Sequence, residues 1–138
     1  MSMSNVQDVK IIDFIGHTED GVLVPIELRK QVPFEVKRVF YVFGVDSHKS
    51  RGQHAHKKTQ QILICLHGEV ICVCKDGHGD EVKVKLDDPK KGLFIPEMIW
   101  DEQVYSTPDS VLLVICNTEY DTNDYINSYT EFRNLVKV

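Results

Sequence analysis

The sequence has no long hydrophobic run, no surplus of positive charge and no cysteine pairs at zinc-binding spacing, and each absence closes a class of function. Nowhere do about 18 apolar residues follow one another, and no apolar stretch of signal-peptide type opens the chain, so neither a membrane span nor secretion is expected. Lys and Arg number 16 against 21 Asp and Glu, giving a formal net charge of −5. Proteins that hold a nucleic-acid backbone concentrate positive charge, so no nucleic-acid partner is expected. A small anionic ligand needs only a few local cations and stays open. Linkers, repeats and low-complexity segments are missing too, and 138 residues at 42% hydrophobic content suit a single domain over residues 1–138 with a core of its own.

Cys65, Cys72, Cys74 and Cys116 lie inside "QILICLHG", "EVICVCK" and "VLLVICN", where they read as small hydrophobic residues of strands. Cys72 and Cys74 share one face of a strand, poor geometry for a disulfide between them. Reduced core thiols in a reducing cytoplasm follow as the expectation.

What is present is a series of short β-branched runs: "VKIIDFI" (9–15), "GVLVPIEL" (21–28), "VKRVFYVFGV" (36–45), "QILICLHGEVICVCK" (61–75), "EVKVKL" (81–86), "GLFIPEMIW" (92–100) and "SVLLVICN" (110–117). Turn residues separate them, as in "TEDG", "KDGHGD", "DDPKKG" and "STPDS". The fourth run should split near Gly68 and turn back through "DGHGD" as a hairpin. "EVKVKL" alternates, which puts Val82, Val84 and Leu86 inward. Only the tail, with Tyr125, Ile126, Tyr129, Phe132 and Leu135, has helical spacing, and Thr122 or Asn123 would cap it. The chain is therefore expected to be all-β, a jelly-roll barrel or sandwich with a short C-terminal helix. Barrels of this type are often hollow, and the lining of the hollow is the candidate site.

"RGQHAHKKTQQ" (51–61) supplies the chemistry. On a strand, His54 and His56 project to one face, about 7 Å apart along the backbone. Arg51 offers a bidentate donor for phosphate, and Gly52 lets the backbone pass close to a ligand. Arg38 is a cation within an apolar strand, where burial beside an anion would compensate it. Lys57 and Lys58 have two readings, solvated or phosphate-contacting. His17, His48, His67 and His78 read as turn or strand-end residues, and Trp100 as core or pocket wall.

The order His54, His56, Gln61, Gly68, then Gly92, Pro96, Met98, Asp101, resembles the two signatures of the cupin superfamily. Where metal-binding cupins place Glu and a third His, this chain has Gln61 and Asp101. Two His and one carboxylate still form a known iron-binding set, so ligand types alone leave metal open.

Over roughly residues 9–133, "KIID", "VPFEVKRVFYVFGV", "RGQHAHKKTQQILICLHG" and "GLFIPEMIW" resemble the sugar 3,4-ketoisomerases that act on TDP-4-keto-6-deoxyglucose. That resemblance implies a homodimeric cupin jelly roll using neither metal nor other cofactor, which moves a keto group from carbon 4 to carbon 3 of a TDP-linked deoxysugar. The product would lead to 3-amino-3,6-dideoxysugars of surface polysaccharide. His54 and His56 map beside the hexose as catalytic candidates; Arg51, Arg38, Lys57, Tyr41 and Asp101 are the substrate-binding candidates. The related 3,5-epimerases share an Arg-Gly-x-His block whose His is a base, which points to His54 as base. Two departures stand out. Phe40-Tyr41 replaces the usual Tyr-Tyr, which removes a phenol from position 40, and Asp101 stands at the third-His place. A metal-dependent cupin enzyme and a non-catalytic sugar-binding module remain the competing readings.

Overall fold

The alternation of "EVKVKL" becomes a strand, β8 (Glu81–Leu86), with Val82 and Val84 half-buried and Leu86 buried. The computed structural model describes residues 4–136. Before β8 run β1 (Lys10–Asp13), the short β2 (His17–Thr18) and β3 (Val22–Leu23), a helical turn α1 (Leu28–Gln31), β4 (Arg38–Val42), β5 (Ser50–His56), β6 (Gln61–His67) and β7 (Val70–Lys75). After it come β9 (Lys91–Ile95), β10 (Trp100–Tyr105), β11 (Val111–Cys116), β12 (Tyr125–Ile126) and helix α2 (Tyr129–Val136).

Ten of these strands form two five-stranded sheets, β1-β9-β6-β11-β4 and β12-β5-β10-β7-β8, and β2 pairs with β3 apart from them. Every pairing is antiparallel. The inner faces meet in a core that includes Leu63, Cys65, Cys72, Cys74, Leu93, Leu112 and Val114. The four cysteines are free and buried.

Central strand β6 is apolar without alternation because both its faces are covered. Leu63 and Cys65 point to the core, while Ile62 and Ile64 pack under Phe14, Val24, Ile26, Val32 and Phe34 on the outside of the sheet. This covering layer corrects the reading of "GVLVPIEL" as a strand. Only Val22–Leu23 is extended and paired. Pro25 cannot donate to a ladder, and Val24 and Ile26 serve as a lid on the sheet.

The long apolar run does break at Gly68, whose φ of +79° suits a residue without a side chain; a Cβ there would lie 2.5 Å from Ser110 Oγ. β7 and β8 then form the hairpin around Gly77. The tail differs from its expected single helix. Asp121 caps a 3-10 turn at Thr122–Asp124, Tyr125 and Ile126 pair with His56 and Ala55, and α2 starts later, its Glu131 amide donating to Ser128 Oγ. Pairing with β5 satisfies backbone groups that a helix would have satisfied itself, and it buries Ile126 among Ala55, Met98, Trp100 and Phe132.

Candidate active site

β5 carries the site because its backbone is irregular there. Its register against β10 pairs Asp101 with His54 and Glu102 with Gly52, leaving Gln53 as the extra residue of a bulge. Gly52 and Gln53 have φ of +88° and +57°, and Gln53 Nε2 donates to Ser50 Oγ at 3.0 Å. A Cβ on Gly52 would meet Gln103 Oε1 at 3.0 Å and the Asp101 carbonyl at 3.1 Å, so glycine lets β5 lie tight against β10. Beyond the bulge the strand regains its period, and His54 and His56 turn to one face with ring centroids 4.8 Å apart.

They face a cavity of about 360 Å³ between the two sheets, bounded by Phe40, Val42, Leu112 and Val114 on its apolar side. Arg51, exposed, and Gln61, buried, also line it. Tyr125 of β12 closes the histidine side, its ring 4.9 Å from that of His54 and 4.6 Å from that of His56; Tyr120 stands 5.9 Å further out. The β5–β6 turn is tied to this corner by Asp124, whose carboxylate accepts from the amides of Lys58 at 2.7 Å and Thr59 at 3.3 Å and from the Thr59 hydroxyl.

Burial sets the protonation of the pair. Loss of water pulls the pKa of His54 below its usual value, partly offset by the Gly52 backbone beside the ring. His56, 5% exposed, is pulled down to about 4, by burial first and by the neighbouring His54 next, against the pull of Asp124. At neutral pH both rings are uncharged and each has a lone pair for a proton.

Behind the pair lies Asp101, fully buried. Its Oδ2 accepts from Gln103 Nε2, its Oδ1 has no partner, and burial raises its pKa to about 7. Ligand atoms of His54, His56 and Asp101 lie within 4.8 Å of one another, a set that fits a divalent ion.

The structure thus brings His54, His56 and Arg51 to one cavity. Arg38 stands at its edge, with its guanidinium 5.6 Å from the centre of the Phe40 ring and 5.8 Å from that of Tyr120. Tyr41 and Lys57 are not brought there. Tyr41 follows Phe40 on β4, so strand alternation points it to the outer face, where it stacks on Phe43 at 6.2 Å. Lys57 follows His56 where the chain leaves β5, and its side chain is in solvent. Asp101 is buried within 4.8 Å of the histidines and is not among the residues that line the cavity. Reading by sequence missed Tyr125 and Tyr120, because a helical stripe and a strand next to β5 place tyrosine equally well. Only the long-range pairing of Tyr125 with His56 decides between them.

The profile of the FdtA family, described as WxcM-like, C-terminal, matches residues 7–137. The chain belongs to that family. A relative from Aneurinibacillus thermoaerophilus, a TDP-4-oxo-6-deoxy-alpha-D-glucose-3,4-oxoisomerase, is 38% identical over 128 residues, 92% of this chain and 91% of its own. Among solved structures, QdtA, a sugar 3,4-ketoisomerase from Thermoanaerobacterium thermosaccharolyticum in complex with TDP, is 38% identical with a TM-score of 0.91 and 96% coverage of each chain. WlaRB, a TDP-quinovose 3,4-ketoisomerase from Campylobacter jejuni, is 35% identical with a TM-score of 0.87, covering 94% of this chain and 99% of its own. The fold of this FdtA-family chain is the cupin-like jelly roll of these relatives.

Proposed function

We propose that this chain is a TDP-sugar 3,4-ketoisomerase, moving the keto group of TDP-4-keto-6-deoxyglucose from carbon 4 to carbon 3. The observation that carries this reading is the uncharged His54 and His56 pair, aimed from one strand face into a cavity with Arg51 beside it. The relatives named for this isomerisation cover nearly the whole chain, which supports it.

The carbonyl at carbon 4 acidifies the proton on carbon 3. His54 takes that proton, an enediolate forms, and His56 relays a proton to carbon 4. A neutral imidazole suits the first step, and the imidazolium it becomes supplies the proton that His56 passes to carbon 4. Arg51 binds the TDP phosphates, and Arg38, on the opposite sheet, adds positive charge near the developing oxyanion.

The unit of function is a single cupin domain acting as a homodimer in the cytoplasm. Val39, Tyr41 and Phe43, on and just after edge strand β4, expose apolar surface that supports a second copy as partner. Four free thiols suit a reducing compartment. Among the described residues no helix is long and apolar enough to cross a membrane.

Incubation with TDP-4-keto-6-deoxyglucose in deuterium oxide, followed by NMR, tests the reading. Deuterium at the reacting carbons and a 3-keto sugar are expected; their absence would overturn it. One observation favours a second reading, a metal-dependent cupin enzyme: the His54, His56, Asp101 set with its unpartnered Asp101 oxygen. Turnover that persists after prolonged chelation is expected. One equivalent of iron, manganese or zinc whose removal stops turnover would establish the metal reading instead.

A further inference from the structure

The isomerisation leaves part of its substrate untouched. In a TDP-linked 4-keto-6-deoxyhexose, carbon 1 carries the nucleotide, carbons 3 and 4 react, and carbon 6 is a methyl group. The carbon 2 hydroxyl is then the one hydroxyl of the hexose that enters and leaves unchanged. A group that recognises it must bind a neutral hydroxyl without changing charge, which describes a carboxamide, donor and acceptor in one side chain.

The cavity holds such a group on the wall opposite the histidines. Strand β6 belongs to the sheet that faces the sheet of β5. Strand alternation turns Gln61, Leu63 and Cys65 inward along β6, and Ile62 and Ile64 outward. That sheet gives the cavity six lining residues among those described, Phe40, Val42, Gln61, Leu63, Leu112 and Val114, and Gln61 is the polar one. Gln61 is 5% exposed, and its cross-strand neighbours are Ile95 and Cys116. The amides of Gln60 and Gln103 are engaged, donating to Glu97 Oε2 at 2.8 Å and to Asp101 Oδ2, whereas among the described residues no hydrogen bond engages the side chain of Gln61. A carboxamide buried without a partner is costly, and on a cavity wall the partner it lacks is a ligand atom.

We infer that Gln61 is a specificity-determining residue of the ketoisomerase, whose carboxamide holds the carbon 2 hydroxyl of the sugar. Either half of the amide serves: the NH2 donates to the hydroxyl oxygen, or the carbonyl oxygen accepts its hydrogen. The five apolar residues that share its wall face the carbon skeleton and the carbon 6 methyl, which want no polar partner. Carbon 2 adjoins carbon 3, so a hold on its hydroxyl fixes the sugar next to the reacting carbon and does so alike in substrate, enediolate and product. A sugar without this hydroxyl leaves the amide unpaired inside the cavity. A site that loses such a partner rejects the analogue far more strongly than an apolar pocket rejects a missing methylene.

This inference rests on the ketoisomerase reading, and the experiment tells the two failures apart. The parent, Gln61→Met and Gln61→Leu, two apolar replacements of similar size, are assayed by NMR for kcat/KM with TDP-4-keto-6-deoxyglucose and with its 2-deoxy analogue. Calorimetric titration gives the TDP affinity of each protein. The parent is expected to favour the 2-hydroxy sugar at least ~100-fold, the effect of removing a hydroxyl from a site that hydrogen-bonds it. Both variants should bring that preference within about fivefold, with TDP held within about threefold of the parent. The ratio separates recognition from structure, because a damaged pocket lowers both substrates together and the effect of the missing oxygen on carbon 3 acidity is common to all three proteins. A parent that turns over the two sugars within about threefold of each other overturns the inference alone. So does either variant that keeps the parent's preference. A parent that forms no 3-keto sugar from either substrate overturns the ketoisomerase reading, and this inference with it.

Discussion

Strand β10 has two neighbours in its sheet, and they are built on opposite terms. Against β7 it keeps six pairs in unbroken antiparallel register, from Trp100 and Lys75 to Tyr105 and Val70. Against β5 the register slips between Asp101 and Glu102, and Gly52 and Gln53 take positive φ. The regular side points Cys72 and Cys74 into the core with no exposed surface at all. The irregular side points two imidazoles into a cavity. Regular pairing maximises ladder bonds and packing, whereas a bulge gives up one pair to redirect a side chain, and such irregularity is placed where chemistry needs it. Substitutions on the β5 side should therefore act on turnover and binding, and those on the β7 side on stability.

The largest effect is expected at His54. His54→Asn should lower kcat by about 10³-fold or more and abolish deuterium entry at carbon 3, since no enediolate forms without the base. His56→Asn should also suppress turnover yet leave measurable exchange, and both variants should hold TDP within about tenfold of the parent. Exchange lost only in the His56 variant would exchange the two roles. Full activity in both would remove histidine catalysis from the mechanism.

Next in size is Arg51. Arg51→Ala should weaken TDP by about 1.5–3 kcal/mol, the cost of a charge-assisted contact, and Arg51→Lys should recover part of it. Calorimetric titration that finds both variants equal to the parent would show that Arg51 does not contact the nucleotide.

The β7 side gives the contrasting test. Val70→Ala opens a void at a fully buried core position opposite Tyr105, which should cost about 1–3 kcal/mol in denaturant unfolding. Its kcat at 25 °C should stay within about twofold of the parent. A variant of undiminished stability that has lost turnover would break the division between the two sides of β10.

How much of this was legible in the chain follows the same division. β6, β7, β8, β9 and β11 can be read from apolar runs because packing made them, and the Gly68 break is visible as a lone glycine in a strand. The His54 and His56 pair is legible because period-two geometry follows from strand formation alone. β10 is not, since "WDEQVY" is polar where it borders the site, and Asp101 and Gln103 are buried by neighbours far away in sequence. Tyr125 was hidden for a related reason. Its local spacing fits a helix, and only pairing with β5, set by the tertiary fold, makes it a strand residue facing the histidines. The apolar residues of "GVLVPIEL" carried a true burial signal and a misleading structural one, because covering a sheet and belonging to it demand the same side chains.

The smallest expected effect is in pH-dependent stability, where two buried groups on the irregular side oppose each other. His56 has a folded pKa of about 4 against an ordinary 6.5. Between those values the unfolded chain binds more protons, so this group makes stability climb as pH rises from about 4 to 6.5. Asp101 has a folded pKa of about 7 against an ordinary 3.8. Across that span the folded chain keeps a proton that the unfolded chain has lost, so this group's contribution is present below pH 3.8 and is lost as pH rises to about 7. Over their shared window the two slopes oppose, and the parent's stability should change little on their account. Asp101→Asn leaves the His56 slope, so the variant should gain about 1–2 kcal/mol relative to the parent between pH about 4.5 and 6.5. His56→Asn leaves the Asp101 slope and should lose a similar amount over the same interval. Urea unfolding at the two pH values measures both differences, and two variants that keep the parent's slope would show that neither group is held away from its ordinary pKa.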